Sequence, residues 1–158
     1  MEKIIKVDTR HVKQLVDIDI ESKYFLNKKF KMSRKENIKS TKERLKSKQE
    51  IIYAYSINGK LAGYCSIKPF FPGYKHCEFY WLAVSKEYQR RGVGTKLIAF
   101  REKLAKKMKF RKAFIYMHKK NDKIIRLYKK RGYKFVNEFP GYYSFKRNNI
   151  AVLYCKEL

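Results

Sequence analysis

The residues best suited to chemistry lie in one short stretch, Gln89-Arg90-Arg91-Gly92-Val93-Gly94-Thr95. The apolar run before it ends in Leu82-Ala83-Val84 and reads as a strand. The run after it puts Val93, Leu97, Ile98, Leu104, Ala105 and Met108 on one helical face. A turn that opens a helix presents unpaired N–H groups and the positive end of the helix dipole. Glycines let a guest approach the backbone closely, and Thr95 adds a hydroxyl in the first turn, so phosphate or pyrophosphate is the expected guest. The G-x-x-x-x-G-K-[ST] pattern of a Walker A loop is absent. A Rossmann fingerprint is also incomplete, since the third glycine and the acidic residue at the ribose spacing are missing.

The surrounding sequence must hold this turn in place. Ile4 to Val7 reads as a strand, followed by a helix capped at Thr9 with Val12, Leu15, Val16, Asp19 and Ile20 at helical spacing. Lys23 to Lys31 is aromatic and basic. Ser33 with Glu36 forms a capping box that opens a second helix toward Lys46. Ile51–Ile57 and Leu61–Lys68 flank Asn58-Gly59, a strong hairpin signal. His76 to Val84 reads as one strand and Ala113–His118 as another. Ile124, Leu127 and Tyr128 mark a helix ending near Gly132, and Tyr133–Glu138 and Ile150–Lys156 form a last strand pair. The order β-α-α-β-β-β-α-β-α-β-β predicts an α+β fold, a mixed sheet of about seven strands with helices on both faces. No linker or repeat divides residues 1–158, which predicts a single domain.

Charge points to partners. The 158 residues carry 40 Lys or Arg against 14 Asp or Glu, a formal charge of +26. Residues 101–134 alone hold fifteen Lys or Arg against Glu102 and Asp122. Such a balance suits a nucleic-acid- or ribosome-binding module. No RNP motif, C2H2 pattern or basic zipper supports that class, and a binding module needs no glycine turn between strand and helix. Disorder is excluded by 44% hydrophobic and 16% aromatic residues. The three cysteines are scattered, which argues against a zinc site or a disulfide framework and fits a reducing cytosol. The early charges at the N-terminus and the lack of a long apolar run predict a cytoplasmic protein with no membrane partner.

Gln89 to Gly94 matches [QR]-x-x-G-x-[GA], and the chain thereby resembles the GNAT superfamily of N-acetyltransferases; Leu82-Ala83-Val84, Tyr88 and the order of elements are also similar. The resemblance implies an acyltransferase that uses acetyl-CoA (coenzyme A) as donor and needs no metal. It implies a cleft where the strand ending at Val84 splays from the strand Ala113–His118. Backbone groups near Leu82, Ala83 and Val84 would pair with the pantetheine arm, and the Gln89, Arg90, Arg91, Gly92, Val93, Gly94 and Thr95 turn would cradle the pyrophosphate. Asn121 through Phe135 resembles the family segment N-x-x-[AI]-x-x-L-Y-x-x-x-G-F. By that likeness Asn121 contacts the cofactor, and Tyr128 sits near its sulfur as the acid for the leaving thiolate.

The same resemblance gives Glu78 the role of base, directly or through a water, because it stands at the spacing of the histone-acetyltransferase glutamate. The catalytic Glu of the ribosomal-protein acetyltransferases has no counterpart here, since Tyr116 occupies its place. Tyr116 then lines the acceptor site, while His118, beside Lys119 and Lys120, reads as a surface residue. In this family the connection between the first two helices walls the acceptor site, which brings in Glu21 and Tyr24. Asp17, Asp19 and Glu21 form a local acidic patch able to draw in an ammonium group. Pro140 to Ser144 resembles the paired-tyrosine segment of N-terminal acetyltransferases, so Tyr142 and Tyr143 form the opposite wall. The expected acceptor is a protein α-amine or lysine. A polyamine fits least, because the chain's charge repels a polycation.

Overall fold

A computed structural model of the protein describes residues 1–22, 32–71, 73–143 and 148–158. Its strands are β1 (Glu2–Lys6), β2 (Ile51–Ile57), β3 (Lys60–Pro69), β4 (His76–Glu78), β5 (Leu82–Val84), β6 (Lys112–His118), β7 (Lys134–Phe139) and β8 (Ala151–Glu157). The helices are α1 (Val12–Glu21), α2 (Arg34–Lys46), α3 (Val93–Lys107) and α4 (Asp122–Lys130). They flank one open eight-stranded sheet of order β1-β2-β3-β4-β6-β8-β7, with β5 paired to β3 off that path.

Local chemistry sets most boundaries. The Asn58-Gly59 turn joins β2 to β3, which pair antiparallel from Ile51↔Ile67 to Ile57↔Lys60. Ser33 and Glu36 cap α2 reciprocally, as the sequence predicts. The first helix differs from expectation. Asp8, not Thr9, is the cap, and a short 3-10 turn over Thr9–His11 precedes α1. Met108 leaves the apolar stripe because it lies past the end of α3 and is exposed.

Apolar side chains fill both faces of the sheet. Leu15 and Ile18 of α1 pack on Ile52, Ala54, Leu61 and Tyr64. On the other face Val93 and Leu97 of α3 meet Tyr55, Ala62 and Cys65. A larger cluster there joins Ile98 and Ala105 of α3 and Tyr128 of α4 to Ile67, Cys77, Ala113, Ile115 and Val152. Leu97 and Ile98 are fully enclosed, which contributes about 2 kcal/mol each. The close approach of α3 depends on Gly63. A Cβ there would stand 2.7 Å from the Ala83 carbonyl oxygen and 3.2 Å from Leu97 Cδ1.

The strand expected over His76–Val84 is broken in two, and this break shapes the site. Lys68 pairs with Glu78, and Cys65 pairs with Leu82. Two residues on β3 therefore face three between β4 and β5, a bulge of one residue at Phe79-Tyr80-Trp81. Before it, β4 runs parallel to β6; after it, β5 follows β3 alone.

Candidate active site

Helix α3 begins without a side-chain cap. Its N-cap is Gly92 at φ 78°, where no side-chain hydrogen bond closes the first turn, and a Cβ there would meet nothing within 4 Å. Arg90, at φ 61°, also takes a left-handed conformation. The helix ladder starts when the Lys96 amide donates to the Gly92 carbonyl at 3.0 Å. The amides before it are free to meet an anion. Gly94 lies against β5, where a Cβ would make an ordinary contact of 3.7 Å with Val84 Cγ2. Gln89 Nε2 donates to the Val84 carbonyl at 3.2 Å and so ties the turn to β5. Arg90, Arg91 and Thr95 are exposed, and the Arg91 guanidinium lies 5.7 Å from the Tyr88 ring. Ala83 and Val93 turn into the core, while the uncapped amides and two exposed arginines of the Gln89–Thr95 turn fit a pyrophosphate beside Leu82 and Val84.

The cleft beside this turn is made of two backbone edges. β6 pairs with β4 only from Lys112 to Phe114, while β8 covers its other edge along the whole length. From Ile115 to His118 the edge toward β5 has no strand partner among the described residues, and neither has the facing edge of β5. An extended, amide-bearing ligand can add to such edges as a strand does.

At the head of the cleft, Glu78 faces the side of the sheet that carries α1 and α2. Its cross-strand neighbours are Lys68 and Phe114. Burial pushes its carboxyl above the usual value near 4.5; the Lys68 charge pulls it down, and the Glu50 carboxylate adds a further push upward. Tyr116 projects from β6 on the same face. Its ring stacks on Tyr142 at 4.9 Å and 12°, and Phe139 lies 5.7 Å away. Tyr142 meets Tyr143 edge-on at 5.0 Å. Burial, then Glu78, push the Tyr116 phenol up; burial and Glu78 lead in lifting Tyr142 to about 12. Burial, Tyr142 and Glu78 push Tyr143 up as well. One carboxylate thus stands before a wall of neutral phenols, a setting for an ammonium group and for its deprotonation.

Other expected residues are placed differently. His118 is buried rather than at the surface, because Tyr143 stacks on it at 5.4 Å and Asn149 lies 3.5 Å from its Nε2. The acidic patch is engaged within the fold. Asp17 pairs with Arg34, and Asp19 accepts from the Tyr64 hydroxyl and from Trp81 Nε1. Glu21 accepts from the Ser85 hydroxyl at 2.7 Å and from the Lys86 amide at 3.0 Å. Glu21 therefore anchors the end of α1 to the chain leaving β5 through one carboxylate oxygen, while the residue itself is exposed. Tyr24 lies outside the described residues.

Tyr128 is buried, and its hydroxyl accepts from Arg101 Nη2 at 2.6 Å. Its ring meets Tyr133 edge-on at 5.0 Å. Burial pushes the phenol up, and the Arg101 charge pulls it down. Asn121 is the N-cap of α4, yet its side chain makes no cap bond there. Sequence reading missed Arg101, Trp81, Lys68 and Glu50. A signal for Arg101 existed: it stands four residues from both Leu97 and Ala105, in the middle of the buried stripe of α3. Among the described residues no group of three or more His, Cys, Asp or Glu could hold a metal ion, and no helix is long and apolar enough to cross a membrane.

The model of the Acetyltransferase (GNAT) family matches residues 13–133. Solved structures of similar fold include an N-acetyltransferase from Staphylococcus aureus, at 18% identity and TM-score 0.80, with 99% of this chain and 98% of that one covered. The ribosomal-protein-alanine N-acetyltransferase from Brucella melitensis aligns at 18% identity and TM-score 0.79, covering 99% of both chains. The PaiA N-acetyltransferase from Thermoplasma acidophilum, crystallised with coenzyme A, aligns at 16% identity and TM-score 0.74, covering 100% of this chain and 99% of that one. No curated protein matches by sequence.

Proposed function

The chain belongs to the GNAT acetyltransferase family and is an acyltransferase that uses acetyl-CoA, and from that premise we propose that it acetylates a protein α-amine or lysine by direct attack. The observation that carries this reading is the single half-buried carboxylate of Glu78 facing the Tyr116–Tyr142–Tyr143 wall across the head of the cleft. Acetyl-CoA supplies the acetyl carbonyl that the amine attacks and the thiolate that leaves. The amides and arginines of the Gln89–Thr95 turn bind its phosphates, the edges of β5 and β6 flank its arm, and Asn121 contacts it.

Glu78 takes the proton from the ammonium form of the acceptor, so that a neutral nitrogen can attack, and its raised carboxyl makes it a better base near neutral pH. Tyr142 and Tyr143 hold the acceptor beside Tyr116, with Glu21 fixing the end of α1 opposite. Tyr128 gives its proton to the departing sulfur and recovers one from water before the next turnover. The fifteen cations between residues 101 and 134 exceed what one bound cofactor requires, which supports docking on a polyanion such as a ribosome.

The test is an acceptor panel: peptides with a free α-amine, peptides with only a lysine amine, and small amines, each followed by thiol release. Peptide acetylation, saturable in peptide, is expected. Reaction of small amines alone overturns the protein-acceptor reading.

A further inference from the structure

Helix α3 drives one charged side chain straight into the core. Arg101 is 0% exposed, and its guanidinium lies 4.3 Å from the Phe79 ring centroid. Nη1 donates to the Trp81 carbonyl at 3.0 Å, Nη2 donates to the Tyr128 hydroxyl at 2.6 Å, and the buried Nε has no hydrogen-bond partner. Among the described residues no carboxylate lies within 4 Å of it. The adjacent Glu102 is turned instead to Arg131 and Lys156. A buried cation without a counter-ion is costly, and an apolar side chain at this place would continue the cluster formed by Ile98, Ala105 and Phe79. Stability alone does not explain the residue.

Its position does. Trp81 is the last residue of the bulge, just where the chain leaves β6 and follows β3, so the guanidinium sits at the apex of the cleft. It touches Tyr128 in one particular way. Because the tyrosine oxygen accepts from Nη2, its own O–H proton points elsewhere, and no acceptor for that proton exists among the described residues. A cation beside the phenol also stabilises the phenolate that forms when the proton leaves.

We propose that Arg101 is a positioning residue for acyl transfer, which holds the Tyr128 oxygen so that its proton is kept for the sulfur that leaves. The inference rests on the acetyl-transfer reading above. In the step concerned, the C–S bond breaks with its electron pair on sulfur, the Tyr128 O–H proton moves to that sulfur, and the phenolate remains against the guanidinium until water reprotonates it. Burial opposes loss of the phenol proton and the Arg101 charge favours it, which agrees with this role.

The test combines a double-mutant cycle with a binding measurement that needs no turnover. Arg101→Met lowers kcat by about 30-fold, while KM for acetyl-CoA stays within about twofold. In the Tyr128→Phe background the same substitution removes nothing more, because the group it serves is gone. Arg101→Lys, which keeps the charge, retains more of kcat than Arg101→Gln, which does not; this pair decides the matter if the Met variant fails to fold. At pH 9 the preference for coenzyme A over its desulfo analogue, read by calorimetry, falls by about fivefold or more in Arg101→Gln. Losses that multiply in the double mutant, a raised KM with kcat intact, or an unchanged preference overturn the proposal. If the wild-type chain binds coenzyme A but acetylates no amine, the acetyl-transfer reading falls, while the binding preference still decides whether Arg101 acts on the sulfur.

Discussion

Arg44 and Arg101 approach the sheet from opposite faces, and each touches a buried tyrosine. Arg44, on α2, has Glu50 at 3.7 Å and reaches the Tyr64 hydroxyl at 3.4 Å, and that hydroxyl in turn binds Asp19. Its charge is answered by acids, and the result is a brace between α1, α2 and the strands beneath. Arg101, on α3, has a carbonyl, a phenol and a ring around it and, among the described residues, no carboxylate within 4 Å. Trp81 links the two sites, with its indole N–H on Asp19 and its carbonyl on Arg101. A compensated cation stiffens a fold; an uncompensated one is retained where a reaction can use its field.

Exchanging each arginine for methionine separates these roles. In Arg44→Met the Glu50 carboxyl, 6% exposed, is left without its cation. Unfolding free energy then falls by about 3 kcal/mol, while activity per folded molecule is retained. Chemical denaturation beside a rate assay on the folded fraction checks both. Arg101→Met gives the reverse: stability within about 1 kcal/mol of the parent, because an unpaired buried charge is removed, and a kcat lower by about 30-fold. Equal stability losses in the two variants break the comparison.

A smaller effect tests how Glu78 is tuned. Its carboxyl is raised by burial, and Lys68 moderates the rise. A base must be ionised, so the rate climbs with pH through that raised value, and Lys68→Met moves the acid limb of the pH–rate profile to higher pH. The same group links to stability. Its proton is held more tightly in the folded than in the unfolded state, so just above pH 4.5 its contribution to stability declines as pH rises. Lys68→Met widens that window. A limb that stays in place removes Lys68 from the account. The mildest change is expected at the exposed turn, where Arg91→Ala weakens coenzyme A binding by about threefold at low salt and less at high salt.

Much of this arrangement was legible in the sequence, for local reasons. The Asn58-Gly59 hairpin, the Ser33–Glu36 capping box and the Gln89–Gly94 turn are each specified by residues close in the chain. The break at Phe79-Tyr80-Trp81 was not legible. The nine residues from His76 to Val84 read as one strand, and the bulge exists only because β3 and β6 draw the chain to different partners. Arg101 was hidden for the same reason. Its burial is decided by Phe79, Trp81 and Tyr128, which come from other segments and surround it only after folding. His118 looked exposed beside two lysines until Tyr143 covered it. The Gln89–Thr95 turn, built from backbone, is written in one motif; the Tyr116–Tyr142–Tyr143 wall, built from side chains of separate segments, is not.

The central claim is that Glu78 serves acetyl transfer at the head of this cleft. It is tested most directly by thiol release from acetyl-CoA with a free α-amine peptide, in the wild type and in Glu78→Gln. The account predicts a wild-type rate saturable in both substrates and a rate about 100-fold lower in Glu78→Gln, with coenzyme A affinity unchanged. Thiol release that ignores the peptide, or that is equal in the two proteins, would contradict it.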